Sequence, residues 1–383
     1  MTAPRRSEPH PRRPEPHPRR PEPHPRRPEP HPRRPEPVEG RDTANATTTT
    51  PSGRVGLLDE VRARIPIASR PVPPRDRLLP SWRDARPGRI RKALAVAEAT
   101  EAGGWYVVGA STDLGPDRSI IRHVAGDEVV LWRDTDGSLL AGPGSCPHLG
   151  ALLTDCEVRG GEVYCRWHGL ALGRPGWGRW RTYPALDDGV LLWVRRPTEG
   201  ETFTDAPTIT PRPPLERSIA AVVAMPGVCE PRDVVANRLD PWHGSWFHPY
   251  AFSHLEVDEP ASTDERLVVE VTFRLSRRYG VPVRATFTCP DRRTIVMTII
   301  DGEGTGSVVE THATPLGVGA DGRPRTMVTE ATVAHSERPG FAVAQRVGAL
   351  IRPAMRRTAA RLWVDDLVYA ERRYEVRRRG EFL

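Results

Sequence analysis

Residues 146–169 read C-P-H-L-G-A-L-L-T-D-C-E-V-R-G-G-E-V-Y-C-R-W-H-G. Cys146 and His148 form one compact pair and Cys165 and His168 a second, with sixteen residues between His148 and Cys165. Two thiolates and two imidazoles can hold one tetrahedral zinc. They can also hold a [2Fe–2S] cluster, with both cysteines on one iron and both histidines on the other. A zinc finger draws its two cysteines from one knuckle and its two histidines from a helix. Here each loop supplies one Cys and one His, which favours the two-iron arrangement.

This mixed pairing resembles the Rieske family. The respiratory branch of that family carries one extra cysteine in each loop, but the corresponding positions here are Ala151 and Trp167. The resemblance is therefore to the oxygenase and ferredoxin branch. It implies a [2Fe–2S] cluster on Cys146, His148, Cys165 and His168 that relays one electron at a time. Neutral imidazoles in place of thiolates remove negative charge and raise the cluster's potential. Trp167, beside His168, reads either as a shield of the cluster from water or as an ordinary core aromatic.

Outward from these loops the chain reads as short strands: W-Y-V-V-G from Trp105, S-I-I-R-H-V from Ser119, E-V-V-L-W-R before the D-T-D-G turn, and G-V-L-L-W-V-R over 189–195. Strands with turn residues at this spacing predict a small β-sandwich over residues 103–199. The metal loops fall at hairpin tips, where Gly150 and Gly169 permit tight turns.

A second constellation lies at 237–249, N-R-L-D-P-W-H-G-S-W-F-H-P. Asp240, His243 and His248 match the Asp-x2-His-x4-His pattern of the Rieske non-haem iron oxygenases, so the resemblance widens beyond the cluster loops. Such a site needs two imidazoles and one carboxylate on one face of Fe(II), with adjacent positions open for O2. A five-residue step puts the histidines about 140° apart on an ideal helix, so a local distortion is expected between Pro241 and Pro249. The third ligand is sought in the last segment, which reads as a long helix after Pro353. Met355, Ala359, Leu362 and Ala370 form one stripe of it, and Asp366 lies within that stripe. A carboxylate on a buried face needs a partner or a metal. Asp365, with Arg361 four residues before it, reads as a surface ion pair and is the alternative ligand. The resemblance makes Asp240 the bridge to a neighbouring subunit's cluster, a role compatible with capping the following turn, and sets Asn237 near the iron. His254, His312 and His335 read as ordinary polar residues.

Strands alternate between 266 and 335: R-L-V-V-E-V-T-F-R-L, R-A-T-F-T-C, T-I-V-M-T-I-I and T-M-V-T-E-A-T-V. The expected fold class is thus α+β, a Rieske β-sandwich followed by a helix-grip domain over 215–383. The latter is a START/Bet v1-like antiparallel sheet with a long C-terminal helix. Residues 54–102 read as a lead-in rather than a domain, with a helix from Arg89 to Thr100.

At 383 residues the chain can bury its cores without disulfides. Cys156, Cys229 and Cys289 show no framework and suit a reducing compartment. Over residues 8–37 the unit E-P-H-P-R-R-P repeats with His10, His17, His24 and His31 in register. Its prolines forbid a helix, so residues 1–53 are expected to be a disordered tail. Residues 1–37 carry ten Arg and five Glu, a balance of 10 − 5 = +5, so 7 − 5 = +2 remains for the rest of the chain. Basicity is local to the tail, and no nucleic-acid partner is expected. Arg5-Arg6 lacks a following apolar region, and no run reaches the roughly 18–20 apolar residues of a membrane span. The expected location is cytoplasmic.

The resemblance implies an oxygenase taking electrons from a separate ferredoxin or NAD(P)H-dependent reductase, since no nucleotide fingerprint is present. It implies mononuclear non-haem Fe(II), O2 as co-substrate and a head-to-tail homotrimer. The Val- and Leu-rich strands point to an apolar small-molecule substrate, by analogy a terpenoid or steroid. The rival is a Rieske electron carrier fused to a helix-grip module that never turns over O2.

Overall fold

The computed structural model describes residues 67–196, 200–338 and 340–381. The repeat tail expected over 1–53 and the start of the 54–102 segment lie outside them. The described part of that segment holds strand β1 (Ala68–Ser69) and helix α1 (Pro87–Ala99), with Pro87 at the first helical position.

Apolar alternation from Trp105 onward gives β2 (Trp105–Ala110), β3 (Ile120–Val124), β4 (Asp127–Arg133) and β5 (Leu139–Pro143). There follow β6 (Glu157–Arg159), β7 (Glu162–Tyr164), β8 (Ala171–Leu172), β9 (Ala185–Asp187) and β10 (Leu191–Arg195). These pair into three three-stranded sheets, β2-β10-β9, β3-β4-β5 and β6-β7-β8. The first two form the expected sandwich, closed on Tyr106, Val108, Leu131, Ala141, Leu192 and Val194. The third sheet was not foreseen, because strands of two or three residues are too short to show alternation. It packs on Trp132 and Leu140 through Leu153, Val163 and Leu172, with Cys146 and Cys165 in the same cluster.

The second half begins with β11 (Ser218–Gly227), α2 (Pro231–Arg238), the single-turn helix α3 (His243–Phe247) and β12 (Phe252–Val257). It continues through β13 (Arg266–Arg274), β14 (Tyr279–Asp291), β15 (Thr294–Gly302), β16 (Val308–Val318) and β17 (Pro324–His335) to α4 (Phe341–Arg346) and α5 (Gly348–Arg378). The antiparallel order is β11-β17-β16-β15-β14-β13-β12, with β1 added beside β14. The architecture is α+β, as read from the sequence. Alternate residues serve opposite faces of this sheet. Val296, Val308, Ala331 and Val333 meet Trp105, Val107, Leu191 and Trp193 of the sandwich. Ala313 and Val328 face the other way, against Trp363, Leu367, Ala370 and Tyr374 of α5.

Three local expectations change. The lead-in is part of the second body, since Ala93, Leu94 and Ala97 of α1 pack on Val235, Ala236 and Leu239 around α2. Helix α5 starts at Gly348 and carries Pro353 inside it. Proline reads as a boundary, but in the second turn it forfeits only one hydrogen bond, close to donors that lack partners anyway. Its stripe centres on Trp363, Asp366, Leu367, Ala370 and Tyr374, while Met355, Ala359 and Leu362 are only half-buried.

Candidate metal centres

The two Rieske-like loops are built alike. Cys146 N–H donates to Ala151 O at 2.8 Å and Gly150 N–H returns to Cys146 O at 2.8 Å. Cys165 N–H donates to Leu170 O at 2.9 Å and Gly169 N–H returns to Cys165 O at 2.8 Å. Gly150 and Gly169 take φ of 76° and 71°, a region glycine enters without steric cost. Both sulfurs are buried while His148 and His168 are exposed, their rings 4.9 Å apart and nearly perpendicular. Burial pushes the Cys146 thiol up, and Cys165 beside it adds to the shift. That donor set would keep a thiolate-bound iron inside and an imidazole-bound iron at the surface. Trp167 is 58% exposed, so it is not a core aromatic.

Below α5 a second set converges. His243 opens α3, and His248 follows its last residue at φ −113°, ψ 53°. Leaving the helix there is the distortion that a five-residue step requires. Nε2 of His248 and of His243 lie 2.8 and 3.2 Å from Asp366 Oδ1, and Asn237 Nδ2 donates to the same oxygen at 3.2 Å. Ligand atoms of His243, His248 and Asp366 all fall within 4.8 Å of one another, the one such trio among the described residues. Two imidazoles and one carboxylate at that separation suit a divalent iron bound on one face. Burial opposes ionisation of Asp366, but hydrogen bonds from the two histidines hold its carboxyl well below the usual carboxylate range. For His243, burial works against the charged form and Asp366 outweighs it, raising the ring above its ordinary value.

The outer nitrogens are also held. His243 Nδ1 donates to the Asp240 carbonyl, which leaves Nε2 for the trio. The Asp240 carboxylate lies 3.8 Å from the same Nδ1 and accepts from Tyr369 at 3.3 Å. Burial pushes the Asp240 carboxyl up, against the pull of His243, Tyr369 and the backbone N–H groups of His243 and Trp242. Oδ1 of both Asp240 and Asn237 is buried without a hydrogen-bond partner.

Asp365 corrects one expectation. Its carboxylate accepts from the Tyr250 hydroxyl at 2.7 Å and stands 3.5 Å from His248 Nδ1, while Arg361 lies over the Tyr250 ring at 3.9 Å. The aromatic ring takes the arginine that i, i+4 spacing assigns to Asp365. Tyr250 and Tyr369 are the residues the sequence reading missed. Only the position of Tyr250 two residues after His248 hinted at either. His254 is exposed on Ser253, His312 is buried between Thr294 and Glu310, and His335 bonds the Arg217 carbonyl. Cys156 and Cys229 are buried, Cys289 is half-buried, and all three are free thiols.

A model of the Rieske [2Fe-2S] domain family matches residues 104–196, and a domain of unknown function (DUF5914) matches 198–381. The vanillate O-demethylase oxygenase subunit of Pseudomonas sp. (strain HR199 / DSM 7063) is 26% identical over 178 residues, 42% of this chain and 48% of that protein. The chain thus spans about half the length of that relative. The oxygenase component of 3-ketosteroid-9-alpha-monooxygenase from Rhodococcus rhodochrous is 30% identical over 96 residues, 25% of this chain and 24% of that one. Among solved structures, the terminal oxygenase of carbazole 1,9a-dioxygenase from Nocardioides aromaticivorans IC177 aligns with TM-score 0.51 and 16% identity, over 77% of this chain and 90% of that one. At that identity the likeness is one of fold.

Proposed function

From a chain that carries a Rieske [2Fe-2S] domain and shares the fold of a terminal oxygenase, we propose a Rieske-type non-haem iron oxygenase. Residues 103–199 form its cluster domain and 215–383 its catalytic domain. The observation that carries this reading is the convergence of His243, His248 and Asp366 in a chain that also matches the Rieske family. A carrier alone has no use for a second trio of metal ligands.

Cys146, Cys165, His148 and His168 would hold a [2Fe–2S] cluster, which would supply a one-electron relay from a ferredoxin or an NAD(P)H-dependent reductase. His243, His248 and Asp366 would hold Fe(II), which would supply O2 activation when bound. Asp366 would contribute the one negative charge of the ligand set, and Asn237 fixes its carboxylate by donating to Oδ1. The Asp240 carbonyl orients His243, and the Asp240 side chain would link this centre to the cluster of a neighbouring subunit in a homotrimer. Hydroxylation is the default outcome.

The substrate is an apolar small molecule. Val269, Val271, Val283, Ala285, Met297 and Ile299 form one apolar cluster on the helix side of the sheet, which supports that class. Among the described residues no helix is long and apolar enough to cross a membrane, and we place the enzyme in the cytoplasm.

Anaerobic iron and sulfide analysis tests the proposal, together with EPR of the reduced protein before and after nitric oxide. About three irons and about two acid-labile sulfides per chain are expected, with a new high-spin nitrosyl signal. About two irons and no nitrosyl signal after Fe(II) reconstitution would leave an electron carrier instead.

A further inference from the structure

Against Pro249 and Tyr250, which follow His248 in the chain, lies a cleft of about 400 Å³. Tyr250 lines it, as do the lead-in around Val72, Arg75 and Leu78 and the β13–β14 turn around Arg274, Leu275 and Arg277. Its size falls within the roughly 300–1,000 Å³ of small-molecule sites.

The charge of this cleft is one-sided. Among the described residues none of the lining is acidic, and none of its three arginines reaches a carboxylate. Arg75 is engaged with Trp246, donating to its carbonyl at 2.9 Å and lying over its ring at 4.9 Å. Arg274 keeps its Nε buried with no hydrogen-bond partner. An unmet buried donor beside a cleft carries a desolvation cost that an anion would remove. Guanidinium groups meet carboxylates and phosphates in a planar two-pronged geometry. Around them Val72, Pro73, Pro74, Leu78, Pro249 and Leu275 add hydrocarbon to the walls.

We propose that this cleft is a second binding site, distinct from the His243–His248–Asp366 centre, for an amphiphilic anion. Arg274 and Arg277 meet a carboxylate or phosphate-ester headgroup, and the hydrocarbon body lies against Val72, Leu78 and Leu275. The Tyr250 hydroxyl links the cleft to the iron site, since it touches Asp365 and stands 3.4 Å from His248 Nδ1. The site does not depend on turnover, so it stands or falls separately from the oxygenase reading.

Calorimetric titration of the cluster-loaded full chain with octanoate, octyl phosphate and 1-octanol tests it. Saturable binding of one anion is expected, weakened about tenfold or more in Arg274→Gln and in Arg277→Gln, with 1-octanol weaker than that anion by a similar factor. Which of the two anions binds tighter identifies the headgroup. Leu275 is 58% exposed, so Leu275→Asp should fold and, by setting a carboxylate in the cleft, abolish anion binding. Unchanged visible absorption of the cluster confirms that each variant is intact. The proposal is overturned if neither anion binds, if 1-octanol matches them, or if Leu275→Asp and the glutamine variants bind like the parent.

Discussion

The Arg212 guanidinium grips the Glu310 carboxylate with two donors, Nη2 to Oε2 at 2.7 Å and Nε to Oε1. Glu310 lies on β16, on the sheet face turned toward the sandwich, and Arg212 comes from the connection between the two halves. A third contact, Arg212 Nη1 to Asp188 Oδ1 at 2.8 Å, reaches into the Rieske half. Trp193 and His312 complete the group, the indole donating to Asp188 at 2.7 Å and the imidazole standing 3.3 Å from Glu310. The junction between the domains is thus a buried charge network set within an apolar contact.

Replacing Arg212 with Met leaves two buried carboxylates without their cation. Breaking such a group from one side costs about 3–5 kcal/mol. Thermal or urea unfolding should show a loss of that order. A change below about 0.5 kcal/mol would mean that the network does not hold the junction.

Acid should narrow that difference. Burial raises both carboxyls, but Arg212 outweighs it and holds Asp188 and Glu310 below their ordinary values of 3.8 and 4.5. Carboxyls depressed on folding contribute stability above the unfolded pKa and lose it as pH falls through the folded value. The parent should therefore lose stability progressively below about pH 4.5, while protonation relieves the Met variant, so their stability curves converge. Parallel curves down to about pH 3 would count against the assignment.

His168→Ala should abolish the visible absorption of the cluster without emptying the second centre, because His168 sits in the loop between β7 and β8 while His243, His248 and Asp366 are carried by α3 and α5. Iron analysis should then find about one iron and almost no acid-labile sulfide per chain. An unchanged spectrum would remove His168 from the ligand set.

Iron uptake at His243, His248 and Asp366 should release protons. In the metal-free protein Asp366 raises His243 above its ordinary 6.5, and the metal needs the neutral ring. Anaerobic Fe(II) titration should therefore show affinity rising between about pH 6 and about pH 8. Equal affinities across that range would place the ligand atoms elsewhere.

Leu94 of α1 is 3% exposed against α2. Leu94→Ala should cost about 2–5 kcal/mol, and it should lower mononuclear iron occupancy because α2 carries Asn237. Normal occupancy together with that stability loss would uncouple the lead-in from the iron site.

Local features are legible in the residues alone. Cys146 with His148 and Cys165 with His168 each sit in one tight turn, so a few residues specify each pair. His243 and His248 share one short segment, and the four-residue steps from Leu362 to Asp366 to Ala370 put a carboxylate on a buried stripe. Tertiary structure decided whatever joins distant segments. Tyr250 meets Asp365 across 115 residues and Arg212 meets Glu310 across 98, and no periodicity signals either contact. The i, i+4 rule gave Arg361 to Asp365 because spacing knows only neighbours on one helix, whereas the folded chain brings the Tyr250 ring between them. The lead-in shows the same limit. Its prolines read as a lead-in rather than a domain, and only the packing of α1 on α2 made it part of the second body, because burial is a property of both surfaces and the sequence displays one at a time.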